Sequence, residues 1–420
     1  MSKFLNEGGY GCIYYPGITC DGKPQLTKNV VSKLQQNNES AANEIQMGKR
    51  IKAIPNYQLY FLPVVASCPV SLSTINSKLL TECSNITERD IDEDKARDNK
   101  ARDNKARDNK ARDNKARDNK VRENEGYILM EVPYVLNKSF YTILIDMYAS
   151  KKHVIIGIIE NYTYLLEALE TLLSANIVHF DLKSDNILYN QQTHLPLILD
   201  FGLSIHMPDL NAETMAIYFY NYTPDYYIWP LEVHVINFLL YEMEEDGEAG
   251  IGEADVKKIA AAYVQHNKGL TNFSVDFNKD YLEACETYLR TYVGKNKKKT
   301  IEMLLSFYSS WDNYSLSILY LKTLSLMFPQ GFHKNSLILY FSQMLLYNIH
   351  PDPSKRYTLA ETKQRFKDIF FLEENVENYV DFIETFDYDP ELTTKAIQAD
   401  VHQLSKTKAK ILKNKKRRFR

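Results

Sequence analysis

Asp200 stands nineteen positions after Asp181, and Lys183 and Asn186 lie between them. A carboxylate, an ammonium, a carboxamide and a second carboxylate are groups that take up a proton, steady negative charge and ligate a hard cation. The spacing from Asp181 to Asn186 puts a base and a cation ligand on one short loop. Asp200 follows the apolar run Leu197-Ile198-Leu199 and precedes Phe201-Gly202, so it stands at the end of a strand. Near the start of the chain, Asn6-Glu7-Gly8-Gly9-Tyr10-Gly11 lies between two candidate strands. Glycines there let backbone amides approach phosphate oxygens closely.

These residues need elements to position them. Residues 2–90 mix short β-like runs (12–15, 29–34 and 60–65) with one helical stretch over 39–54. Ala42, Ile45 and Ile51 follow a helical repeat in that stretch. From Ala96 to Lys120 the pentapeptide Ala-Arg-Asp-Asn-Lys occurs five times. A period of five matches neither helix nor strand and offers no large apolar group, which predicts a solvated insertion. Residues 127–132 return to strand, and 137–177 read as mostly helical, with Leu165, Leu166, Leu169, Leu172 and Leu173 on a helical spacing. The nineteen residues from Asp181 to Asp200 leave room for two short strands and a turn over 190–194. Helices dominate from about 233 to 375.

Six segments occur in one order: Asn6 to Gly11, Lys33, Glu44, His179-Phe180-Asp181-Leu182-Lys183-Ser184-Asp185-Asn186, Asp200-Phe201-Gly202, and Asp312-Asn313-Tyr314-Ser315-Leu316. In this order they resemble the signature set of eukaryotic-type serine/threonine protein kinases. The repeat, the insertions and the Tyr/Asn/Ile bias look like kinases encoded by large DNA viruses. The resemblance spans roughly residues 5–370. It implies an α+β, bilobal protein-kinase-like fold. A small β-rich lobe would cover 1–131, with an insertion near 88–124. A larger helical lobe would cover 132–372, with a helical insertion near 235–309, and 373–420 would be an extension. It also implies ATP- and magnesium-dependent transfer of the γ-phosphoryl group to Ser or Thr hydroxyls of protein substrates.

Residue by residue, the resemblance makes Asp181 the acceptor of the substrate hydroxyl proton and Lys183 a stabiliser of charge on the moving group. Asn186 and Asp200 would hold magnesium. Lys33 would neutralise the phosphates and be held by Glu44, with Glu39 at the helix start as the alternative. Asn6, Gly8, Gly9 and Gly11 would cover the nucleotide, and Met130 and Val132 would complete its binding set. Phe201 would pack on the helix that carries Glu44. Asp312 would accept hydrogen bonds from the catalytic-loop backbone. His350-Pro351-Asp352-Pro353-Ser354-Lys355-Arg356 resembles a box whose arginine pairs with a buried acid; Glu232 is preferred to Asp225.

Two departures carry consequences. Asn6 stands where the family has its first glycine, a mild change because Asn tolerates a left-handed backbone. Phe180 replaces the arginine that in the family receives an activation-loop phosphate. Residues 203–228 are therefore expected to order without a phosphate on Thr214. A catalytically silent scaffold and a small-molecule phosphotransferase are the other readings. Retention of Asp181, Asn186 and Asp200 argues against the first, and Lys183 with an intact Asp-Phe-Gly against the second.

The 420 residues, 44% apolar and 25% charged, suit a soluble protein with two cored units. Five cysteines without a C-x-x-C pair predict neither a disulfide framework nor a zinc ribbon, and fit a reducing compartment. The glycine loop follows Met1 to Leu5 at once, leaving no room for a signal peptide. No transmembrane helix or membrane partner is expected. The implied location is intracellular, in a host cytoplasm or virion, with the nucleus open. Residues 406–420 hold nine Lys or Arg and no acid, and removing those nine from a net −3 leaves −12. The tail reads by default as a solvated run; the sharper readings are nucleic-acid contact, or an acidic partner including the body itself.

Overall fold

The computed structural model describes residues 2–7, 11–94, 96, 126–140, 142, 151–219, 221–243, 248–271, 273–328, 336–371 and 390–418. Gly8 and Gly9, the pentapeptide repeat beyond Ala96 and the acidic residues 244–246 lie outside these. The chain divides into two compact units, Met1–Leu136 with Leu199–Ser204, and Asn137–Ile198 with Ile205–Arg420. The division falls after Leu136, and the expected extension belongs to the second unit.

The first unit is built on an antiparallel sheet of β1 (Lys3–Glu7), β2 (Gly11–Tyr15), β3 (Val30–Gln36), β5 (Ala66–Val70) and β6 (Tyr127–Pro133). The order is β1-β2-β3-β6-β5, and a short β4 (Phe61–Leu62) precedes β5. Lys33 is paired with Ile13 on one side and Met130 on the other, which fixes its register in the middle of the sheet. One helix, α1 (Glu39–Lys52), follows β3. Asn38 caps it by accepting from Ala41 N, and Lys49, Arg50 and Lys52 in the last turn oppose the helix dipole. Ala41, Glu44, Met47, Gly48 and Ile51 form its buried stripe. Gly48 is required there, because a Cβ would stand 2.4 Å from the Val64 carbonyl oxygen.

The cysteine expectation is corrected here. Cys12 is joined to Cys83 and Cys20 to Cys68, while Cys285 of the second unit is free and buried. Both bridges tie strands of the first unit to segments far away in sequence, so no local spacing announces them. Cys12 and Cys83 lie in the apolar core with Tyr14, Leu34, Leu72 and Leu129.

The second unit contains β7 (Asn137–Ser139), the helix α2 (Lys151–Ser174), β8 (Ile177–Val178), β9 (Ile187–Asn190), β10 (Leu195–Leu199) and β11 (Ile205–His206). β9 and β10 form the expected hairpin, Asn190 opposite Leu195, and β8 pairs with β11. Further helices are α3 (Leu231–Tyr241), α4 (Glu253–His266), α5 (Val275–Arg290), α6 (Lys297–Leu305), α7 (Trp311–Met327), α8 (Ser336–Asn348), α9 (Leu359–Phe371) and α10 (Pro390–Arg418). Within 235–309, the described residues Glu253–His266, Val275–Arg290 and Lys297–Leu305 are helical. Every residue of α7 from Trp311 to Ser325 is buried, which marks it as the central helix. Its polar groups find partners inside: Asn313 Nδ2 donates to Thr362 Oγ1 and Ser315 Oγ to the Ile228 carbonyl. Tyr162, Tyr320, Phe341 and Phe366 pack as a ring cluster, with centroids 4.7 Å apart for Tyr162 and Tyr320. Among the described residues no helix is long and apolar enough to cross a membrane.

Within the tail, Lys406, Ala409 and Lys410 are exposed, whereas Thr407, Lys408 and Ile411 are buried, unlike a run solvated on every side. The tail continues α10, which buries Asp400, Leu404, Thr407, Lys408 and Ile411.

Candidate active site

The first unit brings three of the expected residues together. Lys33 Nζ lies 2.7 Å from Glu44 Oε2 and 3.4 Å from Asp200 Oδ1. Glu44, on the buried stripe of α1, is thus the partner of Lys33; Glu39 stands in the first turn. Asp200 has φ 62°, a left-handed backbone that costs a non-glycine residue energy. The turn beyond it is held from α1, where Asn43 Nδ2 donates to the carbonyls of Gly202 at 3.2 Å and Ser204 at 3.0 Å. Phe201 is buried and sits edge-on to Phe61, with centroids 6.0 Å apart. The strained backbone at Asp200 is thus followed by a turn fastened by hydrogen bonds and ring packing.

The other residues expected to bind a nucleotide are placed unevenly. Met130 is fully buried opposite Lys33, and Val132 is half-buried opposite Val31. Gly11 has a packing reason for being glycine, since a Cβ would stand 2.1 Å from the Leu34 carbonyl oxygen. Asn6 lies within strand β1 and not on a left-handed turn; its Oδ1 accepts from Glu7 N at 2.9 Å. Gly8 and Gly9 lie outside the described residues.

In the second unit the loop 179–186 converges on one carboxylate. Asp181 is fully buried, and Lys183 Nζ lies 3.2 Å from Oδ1 and 3.4 Å from Oδ2. Asn186 Nδ2 donates to the Asp181 carbonyl at 2.7 Å and to Oδ2 at 2.9 Å. With Nδ2 so engaged, Oδ1 is the Asn186 atom able to ligate a cation. Asp312 anchors the loop, accepting from His179 N at 2.7 Å and Phe180 N at 3.0 Å, as expected. Burial pushes the Asp312 carboxyl up from its ordinary value, against the pull of His179 and the two N–H donors. Arg356 forks onto Glu232, at 2.6 Å and 2.9 Å, and not onto Asp225; both side chains are fully buried.

Phe180 has φ 64°, rare for an aromatic residue, so the loop stores strain at this point. Its ring stacks on Trp229 with centroids 4.9 Å apart and meets Phe219 and Trp311 at 5.6 Å. Trp229 Nε1 donates to the Phe180 carbonyl at 2.8 Å. Both tryptophans of the chain stand here. In place of a charged group, position 180 carries a ring in an apolar box with Phe219, Trp229 and Trp311.

Two further groups reach Asp181 that sequence reasoning did not find. Tyr226 Oη donates to Oδ1, and Lys408 Nζ of α10 contacts Oδ2. Asp225 accepts from Thr407 Oγ1 at 3.1 Å, and Tyr227 Oη donates to Asp400 Oδ2 at 2.7 Å. Tyr226 and Lys408 are 45 and 227 residues from Asp181, and no motif spacing links them.

Asp200 and Asn186 offer hard oxygen donors, the chemistry magnesium prefers, and Lys33 with its carboxylate offers a phosphate partner. The residues thus suit ATP and a divalent ion. Comparison with known proteins agrees with this class of fold. The protein kinase domain family matches residues 93–228, which include both Asp181 to Asn186 and Asp200 to Gly202. Among solved structures, the twitchin kinase region from C. elegans is similar at 12% identity and a TM-score of 0.45. That match takes in 96% of this chain and 50% of that one, so the chain spans about half its length. No curated protein matches. The fold is the α+β, protein-kinase-like one, a β-rich unit and a larger helical one.

Proposed function

We propose that the chain is an ATP- and magnesium-dependent protein kinase that phosphorylates Ser or Thr hydroxyls of protein substrates. The observation that carries this is the convergence of Lys183 and Asn186 on the buried Asp181, on a loop anchored by Asp312. Asp181 accepts the proton of the attacking hydroxyl, and Lys183 stabilises charge on the group in transfer. Lys33, positioned by Glu44, holds phosphate oxygens. Asn186 Oδ1 in the second unit and Asp200 in the first are the oxygens that would ligate a divalent ion, whose charge would offset that of the phosphates. Lys183 two residues after the base favours hydroxyl acceptors of the Ser/Thr kind. An intracellular, viral setting belongs to the same proposal.

The test is transfer from labelled ATP and magnesium to the chain itself and to a generic basic protein, beside an Asp181→Asn control. Phosphoserine or phosphothreonine made by the wild type and absent from the control is the expected result. Binding of ATP by thermal shift with no transfer in any form, Lys408 variants included, would overturn the reading in favour of a silent scaffold.

A further inference from the structure

We propose that α10 is a built-in inhibitor that holds the catalytic base closed through Lys408. This rests on the kinase reading above. An ionised carboxylate accepts about four hydrogen bonds. Oδ1 of Asp181 already meets Lys183 and Tyr226, and Oδ2 meets Asn186 and Lys408. A substrate hydroxyl has no lone pair of Asp181 left to accept its proton.

The docking is specific along the helix. Asp400, Leu404, Thr407, Lys408 and Ile411 are all buried, whereas His402, Ser405, Lys406, Ala409 and Lys410 are exposed. The buried positions follow an i, i+4, i+7, i+8, i+11 pattern, one face of a helix. Charges are exchanged in both directions across this face. The body offers Asp181 to Lys408, and the tail offers Asp400 to the buried Lys322 of α7. Eight residues of helix separate the two points, about 12 Å, so a shift in register breaks both at once. Three consecutive residues, Asp225, Tyr226 and Tyr227, bind Thr407, Asp181 and Asp400 respectively. The segment that would receive a substrate is therefore occupied by the chain's own helix. Beyond Ile411 the sequence continues with Lys413, Lys415, Lys416, Arg417 and Arg418, a composition that attracts anions.

The experiment uses the full chain and two variants. Lys408→Glu places a carboxylate against Asp181, and Thr407→Glu places one against Asp225 without touching the base. Transfer to a basic protein and backbone hydrogen exchange over 396–411 are both measured. The expected result is faster exchange in both variants and transfer raised by about tenfold or more, since one-sided loss of a buried pair shifts the docked population strongly. Faster exchange with transfer unchanged from a measurable wild-type rate would overturn inhibition and leave the kinase reading standing. Exchange unchanged in both variants would show that the contact does not hold the helix and would overturn the proposal. Faster exchange with ATP bound and no transfer in any form would overturn the kinase reading, and the inhibitory role with it.

Discussion

The two units present opposite charge patterns at their expected catalytic residues. In the first, one ammonium, Lys33, lies between two carboxylates, Glu44 and Asp200. In the second, one carboxylate, Asp181, lies between two ammoniums, Lys183 and Lys408. The first arrangement suits the arrival of a cation with its phosphates. The second is already satisfied, and the excess positive partner comes from the tail. Of the residues expected to do chemistry, those of the first unit are poised for a ligand, whereas the base of the second is occupied from within the chain.

Substitution at the two centres should separate them most. Asp181→Asn removes the base, and loss of a general base typically costs about 10²–10⁴-fold in rate. Its expected signature is a fall in kcat with ATP affinity unchanged, read by steady-state kinetics and by thermal shift. Lys33→Met should weaken nucleotide binding as well, raising KM for ATP. If both variants changed KM and kcat alike, the two centres would not be distinct in role.

The units also differ in what fastens them, and here the next effects fall. Arg356→Met strands Glu232 as a buried charge, and breaking such a pair costs about 3–5 kcal/mol. Chemical denaturation should show the loss in the helical unit; a change below about 1 kcal/mol would mean that the pair is worth no more than a surface one. The first unit is instead tied by Cys12–Cys83 and Cys20–Cys68. Reduction should destabilise it by about 2–4 kcal/mol per bridge, as loops of this size lose their constraint. Thiol counting under denaturing conditions should find one free cysteine before reduction and five after it. Five before reduction would remove the covalent half of the contrast.

What sequence could see follows from distance along the chain. The loop from Asp181 to Asn186, the Asp200 turn and Glu44, eleven residues from Lys33, are short-range patterns, and each was legible. So was Asp312, because a motif carries it. The disulfides, with separations of 71 and 48, have no local spacing to announce them. Lys408 was hidden for a second reason. In a basic run each lysine looks alike, and only the burial stripe of α10 singles out position 408. Asn6 misled because its residue type permits a left-handed turn without requiring one.

The smallest expected effect is none, and it tests what Phe180 does. An arginine at that position would need a phosphate to settle its charge, and residues 203–228 would then order only after phosphorylation. Phe180 instead stacks on Trp229 and meets Phe219 and Trp311, so the segment is gripped by apolar contact that no modification has to supply. Among the described residues the Thr214 hydroxyl bonds within its own turn, donating to the Asp209 carbonyl at 2.8 Å and accepting from Asn211 N at 2.9 Å. Thr214→Ala should therefore cost no more than about 1 kcal/mol of local stability. Transfer by a Lys408→Glu chain should stay within about twofold when Thr214→Ala is added, since the base, its lysine and the aromatic box are untouched. A loss of activity that Thr214→Glu restores would mean that a negative charge at 214 orders the segment after all. The aromatic box would then be packing alone, and the departure at Phe180 would have no regulatory meaning.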